Sequence, residues 1–306
     1  MSTTARTPRP DWLKVKLPSG ERYFELKSIL RGLSLNTVCE EARCPNVAEC
    51  WGQGTATFMI LGDVCTRACG FCAVKTGLPE YLDREEPARV AEAVARMGLA
   101  HAVVTSVNRD ELKDGGASIF AATIEAIRER RPDTTIEVLI PDFKGSRDSL
   151  ETILKAGPDI LNHNVETVPR LYKRVRPGAN YGQSVELLRR VKEIAPAAIS
   201  KTGMMLGLGE NLAEVESVMR ELASDAAVDI LTLGQYLQPT PEHLPVTRFV
   251  HPDEFRELAR QGTDMGIRHV EAGPLVRSSY HAAAQAFTSS EAHRAPIIWL
   301  RPAADS

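Results

Sequence analysis

The chain has no long apolar run, although 43% of its 306 residues are hydrophobic. A helix needs about 20 consecutive apolar residues to cross a bilayer, so the sequence predicts no membrane-spanning segment. Residues 1–10 are polar and include two arginines, which is the pattern of neither a secretory signal nor a transit peptide. A net charge of −3 provides no basic excess, so we expect neither nucleic acid nor a membrane surface as a partner.

Cysteine is absent outside residues 39–72, where six cysteines fall into two sets of three. The first set is Cys39, Cys44 and Cys50, and the second set is Cys65, Cys69 and Cys72. Disulfides belong mainly to small secreted chains, and structural zinc sites usually have two C-x2-C pairs, so the pattern favours neither alternative. Free thiols at this density need a reducing compartment, which predicts a cytoplasmic protein.

The second set has the spacing C-x3-C-x2-C, which allows one short loop to place three thiolates around a single metal centre. A cubane iron–sulfur cluster normally takes four cysteine ligands. A loop that supplies only three therefore predicts a cluster with one iron open to an outside ligand.

An aromatic residue, Phe71, directly precedes the last cysteine of this loop. With it, the loop resembles the hallmark of the radical S-adenosylmethionine enzymes. The resemblance implies that Cys65, Cys69 and Cys72 hold a 4Fe–4S cluster whose open iron binds S-adenosylmethionine. It also implies that the cluster cleaves this cofactor to a 5'-deoxyadenosyl radical, while the protein positions the cofactor and excludes water.

The first set has the spacing C-x4-C-x5-C and resembles the auxiliary-cluster motif of the lipoyl synthases. Further blocks of the chain are similar to that family, and together they extend from about residue 10 to about residue 285. These blocks are residues 10–16, 109–110, 114–117, 163–169, 207–210, 235–237 and 273–280.

The resemblance implies that Cys39, Cys44, Cys50 and Ser279, from an Arg-Ser-Ser-Tyr block, hold an auxiliary 4Fe–4S cluster. Taken without the family, a serine in that block would be read as a turn or helix cap. Because an alkoxide is a hard oxygen donor among soft thiolates, we expect its bond to iron to be the easiest to break.

The family's reaction replaces hydrogens at the sixth and eighth carbons of a protein-bound octanoyl-lysine with sulfur. The resemblance implies that the auxiliary cluster donates the sulfur, and that two molecules of S-adenosylmethionine are used per lipoyl group. The implied partners are octanoylated carrier domains (E2 subunits of 2-oxoacid dehydrogenases and the H protein of glycine cleavage), a reductant such as ferredoxin or flavodoxin, and an iron–sulfur carrier that rebuilds the auxiliary cluster. The alternatives are another sulfur-inserting radical enzyme and a non-catalytic iron–sulfur scaffold.

Apolar strand-like runs alternate with helical patterns along the chain, which predicts βα units around a parallel sheet. We predict strands near residues 57–61, 102–106, 135–140, 159–163, 199–206, 229–233 and 267–271, and helices near 87–97, 118–130, 149–156, 184–194, 212–223 and 252–265. The superfamily resemblance makes this a partial (β/α)6 TIM-like barrel (residues 55–272), with an N-terminal extension (1–54) and a C-terminal extension (273–306) that carry the auxiliary site. Composition alone also allows an eight-unit barrel or a doubly wound sheet.

In α/β barrels the loops at the carboxyl ends of the strands form the active site. The chemistry of S-adenosylmethionine calls for acceptors, a cation and backbone groups at that mouth. The candidates are Phe71, Thr105, Ser106, Asn164, Glu166, Lys201 and Gln235. Ordinary structural roles compete with several of them, such as a solvated strand end for Lys201 and a helix cap for Glu166. Lys173, Arg174 and Arg176 are predicted either to meet an acidic carrier domain or to be surface.

Overall fold

The computed structural model describes residues 9–13, 21–41, 44, 46–52 and 54–279. Within them the strands are β1 (Asn36–Thr37), β2 (Thr55–Ile60), β3 (Val64–Cys65), β4 (Lys75–Thr76), β5 (His101–Ser106), β6 (Thr135–Leu139), β7 (Ile160–Asn162), β8 (Ile199–Leu206), β9 (Ile230–Gln235) and β10 (His269–Gly273). The α-helices are α1 (Glu21–Gly32), α2 (Val38–Glu41), α3 (Val47–Gly52), α4 (Glu86–Met97), α5 (Ala117–Arg130), α6 (Arg147–Ala156), α7 (Tyr172–Val175), α8 (Tyr181–Ile194), α9 (Leu212–Ser224) and α10 (Pro252–Asp264).

The main sheet has the strand order β1-β2-β5-β6-β7-β8-β9-β10 in the described part of the chain. From β2 to β10 each strand pairs in parallel with the next, and helices connect them. The order never reverses, which distinguishes the sheet from a doubly wound one. The partial (β/α)6 barrel is therefore confirmed, and each predicted strand and helix occurs within a few residues of its predicted ends.

Burial explains why these strands were recognisable. Every residue of β2 and of β9 is buried, as expected for parallel strands that are covered on both faces. Several of the barrel helices begin at residues whose side chains cap them. The Ser146 hydroxyl accepts the Ser149 N–H at the start of α6, and Asn211 forms a capping box with Glu214 at the start of α9.

The elements before β2 were not predicted, and they attach the first cysteine set to the sheet. Strand β1 pairs antiparallel with β2 and aligns Thr37 with Phe58. Helix α2 begins at the next residue and carries Cys39, so this cysteine lies beside the sheet edge. The predicted domain boundaries stay predictions. Residues 280–306, which include Tyr280 of the Arg-Ser-Ser-Tyr block, lie outside the described residues.

Candidate active site

A cavity of about 580 Å³ lies at the carboxyl ends of the barrel strands. Its lining comes from both ends of the described chain as well as from the loops after β5 to β7 and after β9. The cysteines that line it are Cys39 and Cys44 of the first set and all of the second set, Cys65, Cys69 and Cys72. The barrel mouth therefore brings both cysteine sets to one cavity.

The first half of the second-set loop is attached to the loop after β5. Cys65 ends strand β3, and its sulfur accepts a hydrogen bond from the Asn108 N–H at 3.3 Å. The Thr66 N–H donates to the Asn108 carbonyl at 3.1 Å. These contacts fix the direction of the Cys65 side chain through backbone groups.

The second half of this loop is held by α7 and by the connection from β9 to α10. The Gly70 N–H donates to the Val175 carbonyl at 2.9 Å, and the Gly70 carbonyl accepts the Leu244 N–H at 3.0 Å. The ring Nε2 of His243 lies 2.9 Å from the Cys72 carbonyl oxygen. His243 was not singled out in the sequence, because nothing in its neighbourhood indicates a contact with a loop 171 residues away.

Burial disfavours the charged form of the second-set thiols. It raises the pKa of Cys72 to about 11, and it also raises the pKa of Cys69 against the opposing effect of Arg176. Thiolates are the metal-binding form, so these side chains need a cationic centre to ionise at neutral pH.

The first set is more buried than the second, since Cys39 and Cys50 are buried and Cys44 is half-buried. A backbone hydrogen bond from the Cys44 N–H to the Cys39 carbonyl, at 3.1 Å, holds these two cysteines close together. Burial raises the pKa of Cys39 to about 11 and that of Cys50 to about 12, and mutual repulsion with Cys44 adds to both shifts. Cys50 is on α3 and is not among the cavity-lining residues, so it lies behind the other two.

The segment that carries the serines lies against the first set and crosses the end of β9. The Asn46 side chain donates to the Leu275 carbonyl at 2.7 Å, across 229 residues of sequence. A Cβ on Gly234 would lie 2.1 Å from the Val276 carbonyl, so only glycine allows this crossing. Arg277, Ser278 and Ser279 then line the cavity, and the Arg277 charge acts on the Cys44 thiol. The structure thus brings Ser279 to the cavity that Cys39 and Cys44 line.

Several predicted cofactor contacts also line the cavity. Phe71, Thr105, Ser106, Asn164, Glu166 and Gln235 are among its lining residues. The Ser106 hydroxyl and the side-chain amide oxygen of Asn164 are buried without a hydrogen-bond partner, as is Nε of Arg176. Buried polar atoms normally have partners, so these atoms fit a polar ligand. Thr105, by contrast, already donates to the Leu139 carbonyl at 2.8 Å.

Lys201 and Gln235 differ from their predicted roles. Lys201 is fully buried, lies outside the cavity lining and donates to the Glu137 carboxylate at 3.0 Å. It is neither a solvated strand end nor a cavity cation. Gln235 borders the cavity, but its amide oxygen accepts the Val250 N–H and its amide nitrogen donates to the Leu206, Tyr236 and Arg248 carbonyls. Its carboxamide therefore holds the strand end in place.

Arg176 is the cation that sequence reasoning left undecided. It is 8% exposed and lines the cavity, with its guanidinium 5.6 Å from the Tyr172 ring centroid. One terminal nitrogen donates to the Asn164 carbonyl at 2.8 Å. Glycine at position 203 leaves room for Asn164, because a Cβ there would lie 2.8 Å from the Asn164 side-chain oxygen. The basic residues at 173–176 indicated a cation near the cavity in the sequence. The burial of Arg176 depends on tertiary contacts, which the sequence does not show.

Two family models match the chain. The model described as the radical SAM superfamily matches residues 59–222, and that of the N-terminal domain of lipoyl synthase matches residues 1–44. A lipoyl synthase from Rubrobacter xylanophilus is 61% identical over 90% of this chain and 86% of its own length. One from Koribacter versatilis is 57% identical over 93% of both chains.

The chain belongs to the lipoyl synthase family.

Solved structures agree on the fold. Methylornithine synthase superposes with a TM-score of 0.57 at 16% identity, over 87% of this chain and 80% of its own. Streptococcus suis SuiB bound to S-adenosylmethionine superposes with a TM-score of 0.53 at 13% identity, over 79% of this chain and 57% of its own. Within the described residues, no helix is long and apolar enough to cross a membrane.

Membership of the lipoyl synthase family makes this chain an enzyme that uses S-adenosylmethionine and 4Fe–4S clusters. The donors fit such groups. Cys65, Cys69 and Cys72 are free cysteines that line one cavity together with Cys39 and Cys44. Cysteine thiolates are the usual ligands of iron–sulfur clusters.

Proposed function

We propose that this enzyme makes the lipoyl group by inserting sulfur at the sixth and eighth carbons of a protein-bound octanoyl-lysine. The observation that carries the proposal is the shared cavity. It is lined by cysteines of both sets, by Ser279 and by buried polar atoms without partners. A reaction that joins hydrogen removal to sulfur transfer needs both centres within reach of one substrate chain.

We assign to Cys65, Cys69 and Cys72 the cluster that binds S-adenosylmethionine. Bound there, the cofactor supplies the one-electron chemistry that removes hydrogen from an unactivated carbon. The chain's own contribution is a loop held by contacts on both halves, from Asn108 and from His243, so that the thiols are oriented toward the cavity. Fixed ligand orientation is what protein scaffolds supply to metal cofactors.

The polar lining supports binding of the rest of the cofactor. Ser106, Asn164 and Arg176 each present a buried unpartnered atom, and Glu166 adds an acceptor beside Asn164. The buried guanidinium suits the carboxylate of S-adenosylmethionine, since arginine pairs with carboxylates through two parallel hydrogen bonds. Arg176 is thus the proposed cation of the cofactor site, a role for which Lys201 was the candidate from the sequence. Phe71 and Thr105 form part of the cavity wall.

We assign to Cys39, Cys44, Cys50 and Ser279 the auxiliary cluster, whose sulfide ions are a substrate of the reaction. The Asn46–Leu275 hydrogen bond and the crossing at Gly234 support this grouping, because they bring the serine segment against the first cysteine set. Arg277 adds a positive charge beside Cys44, which suits a site that handles anionic sulfur.

The substrate arrives on a protein, so the cavity mouth has to accept a carrier domain. We infer that the carriers are octanoylated lipoyl domains, namely E2 subunits of 2-oxoacid dehydrogenases and the H protein of glycine cleavage. Electrons come from a ferredoxin or flavodoxin, and an iron–sulfur carrier rebuilds the consumed cluster. The six free thiols call for a reducing compartment, so the cytoplasm is the proposed location.

Separate removal of the two cysteine sets tests the division of labour. After anaerobic reconstitution, the triple alanine variant of Cys65, Cys69 and Cys72 is expected to lose cleavage of S-adenosylmethionine down to background. The triple alanine variant of Cys39, Cys44 and Cys50 is expected to keep cleavage but to form no thiolated product on an octanoylated lipoyl-domain peptide. Liquid chromatography with mass spectrometry measures 5'-deoxyadenosine and the peptide products.

Identical behaviour of the two variants would refute the assignment. If the protein were a non-catalytic iron–sulfur scaffold, even the unaltered protein would not cleave S-adenosylmethionine. A different sulfur-inserting enzyme would cleave the cofactor in the presence of octanoyl peptide but would leave that peptide unmodified.

A further inference from the structure

Arg67 lies inside the second-set loop, between Cys65 and Cys69, and is 9% exposed. Its guanidinium makes two hydrogen bonds to Asp110, at 2.7 and 2.9 Å, and two to Asp142, both at 2.7 Å. Arginine–carboxylate pairs of this two-bonded type are the strongest side-chain hydrogen bonds and also fix geometry. Here one guanidinium makes two of them.

The two carboxylates come from different loops at the barrel mouth. Asp110 follows β5 and Asp142 follows β6, so Arg67 joins the second-set loop to two neighbouring strand ends. Asp142 is 1% exposed and also accepts the Lys144 N–H at 3.0 Å. The Lys144 ammonium donates to the Asp110 carbonyl at 2.8 Å. Both acceptors are thus themselves held in position.

A short series of hydrogen bonds connects Asp110, one of the two carboxylates that Arg67 binds, to a cysteine sulfur. The Asp110 N–H donates to the Thr66 hydroxyl, which donates to the Asn108 carbonyl, both at 3.1 Å. The Asn108 N–H in turn donates to the Cys65 sulfur at 3.3 Å. The side chain of Arg67 and the thiol of Cys65 therefore depend on the same loop geometry.

We propose that Arg67 is a positioning residue that sets the second-set loop in its cluster-binding form before any cluster is present. The inference rests on the proposed assignment of Cys65, Cys69 and Cys72 to one cluster. Lysine cannot replace Arg67, because its ammonium is a point donor without the planar fork that reaches two carboxylates.

Amide hydrogen exchange on the cluster-free protein tests the positioning directly. In Arg67→Lys, the peptide covering residues 64–77 is expected to exchange about tenfold faster, since charged hydrogen bonds that limit local opening are lost. Exchange in α9 and α10 stays unchanged. The matched control is Arg189→Lys, where an exposed arginine pairs with Glu186 through two bonds on α8, and it leaves residues 64–77 unaffected.

Asp110→Asn gives a second route if Arg67→Lys does not fold, because it weakens one pair and leaves the bonds to Asp142. Its effect on residues 64–77 is expected to be smaller but of the same sign. Faster exchange spread equally over the whole chain would overturn the proposal, because it would mean that Arg67 supports only global stability. Unchanged exchange at residues 64–77 in both variants would overturn it as well.

A second readout uses the cluster-loaded enzyme. Arg67→Lys is expected to change the electron paramagnetic resonance spectrum of the reduced enzyme on addition of S-adenosylmethionine, and to lower cleavage about tenfold. Normal spectrum and cleavage despite a loosened loop would show that the enzyme does not use this positioning. Failure of the proposed function itself is distinguishable, since then the alanine variant of Cys65, Cys69 and Cys72 would still cleave the cofactor.

Discussion

Ser279 is the proposed oxygen ligand of an auxiliary cluster whose other proposed ligands are the sulfurs of Cys39, Cys44 and Cys50. It is half-buried and reaches the cavity next to Ser278, on a segment held by the Asn46–Leu275 hydrogen bond. Oxygen is a poorer match than thiolate for iron in a cluster, so a serine ligand leaves more readily than a cysteine. A cluster that has to give up its sulfide ions benefits from one weak attachment.

Replacing that weak ligand gives a residue-scale prediction. Ser279→Cys is expected to leave cleavage of S-adenosylmethionine within about twofold of the unaltered enzyme, because the second cysteine set is unchanged. Lipoyl formation is expected to fall at least about tenfold, because a thiolate holds the auxiliary cluster more firmly. Single-turnover assays of 5'-deoxyadenosine and of lipoyl peptide measure the two quantities.

The neighbouring serine supplies the control. Ser278 lines the same cavity, so Ser278→Cys adds a thiol at nearly the same place without replacing the proposed ligand. It is expected to form the lipoyl group at a rate close to that of the unaltered enzyme. Normal lipoyl yield from Ser279→Cys would rule out the idea that serine release matters.

The role of a single residue can be predicted from the sequence only where that role does not depend on burial, because burial is determined by the whole fold. The cysteine spacing and Phe71 are local signals, and they were readable. Lys201 and Arg176 both follow patterns that place cations near the strand ends, yet only Arg176 lines the cavity. The difference is the Glu137 carboxylate, which accepts from Lys201 at 3.0 Å and comes from another strand. No spacing along the chain encodes that pairing.

At the scale of elements, α7 is the part of the described barrel mouth that joins the second-set loop to an exposed basic surface. Its last residue, Val175, accepts the Gly70 N–H, and Lys173 and Arg174 on the same turn are exposed. A carrier domain with an acidic surface that docks here would bring its octanoyl-lysine close to the cavity. Rim charges of this kind act mainly on the rate of association.

Charge reversal of α7 tests that docking. The double variant Lys173→Glu, Arg174→Glu is expected to raise KM for an octanoylated carrier domain about tenfold, with little change in kcat, because repulsion slows encounter. KM for a short uncharged octanoyl-lysine peptide stays unchanged. The same reversal at Arg256 and Arg260, which are exposed on α10, is the control. Equal KM changes for peptide and carrier domain would contradict a docking role for α7.

Element length determined which parts of the fold were predictable. Most of the barrel strands are long, since β2, β5, β8 and β9 have six to eight residues that are almost all buried, and α6 and α9 begin at capping side chains. Strands β1, β3 and β4 have two residues each and α7 has four, which is too short for any periodic pattern. Those short elements nevertheless help to position both cysteine sets, because β1 pairs with β2 beside Cys39, β3 pairs with β4 at Cys65, and α7 accepts the Gly70 N–H.

At the scale of the whole molecule, four neighbouring barrel strands contribute side chains to one buried polar cluster that contains an ion pair. Lys201 on β8 donates to Glu137 on β6, which also accepts from Asn162 on β7 and lies 3.6 Å from His101 on β5. Each of these side chains is at most 1% exposed. Buried ion pairs contribute little when intact, but removal of one partner leaves an uncompensated charge.

The ion pair also gives stability a defined pH dependence. Burial raises the pKa of Glu137, but Lys201, His101 and Asn162 outweigh it and hold the pKa at about 2. An unfolded glutamate has a pKa of about 4.3. Because the folded pKa is the lower one, the unfolded chain binds the extra proton. The Glu137 contribution to stability is therefore fully present above about pH 4.3 and is lost as the pH falls toward 2, while burial lowers the pKa of Lys201 and offsets part of that contribution at neutral pH.

Removing the cation should reverse this dependence. In Lys201→Met, Glu137 is buried without its partner, so its folded pKa rises above 4.3 and the loss of unfolding free energy grows with pH, to about 3–5 kcal/mol at pH 7. The double variant Glu137→Gln, Lys201→Met is expected to recover most of that loss and to lack the Glu137 contribution to the pH dependence. Urea unfolding of the cluster-free proteins at pH 3, 4, 5 and 7 measures the free energies. A double variant as unstable at pH 7 as Lys201→Met would mean that lost packing at Lys201, rather than uncompensated charge, accounts for the effect.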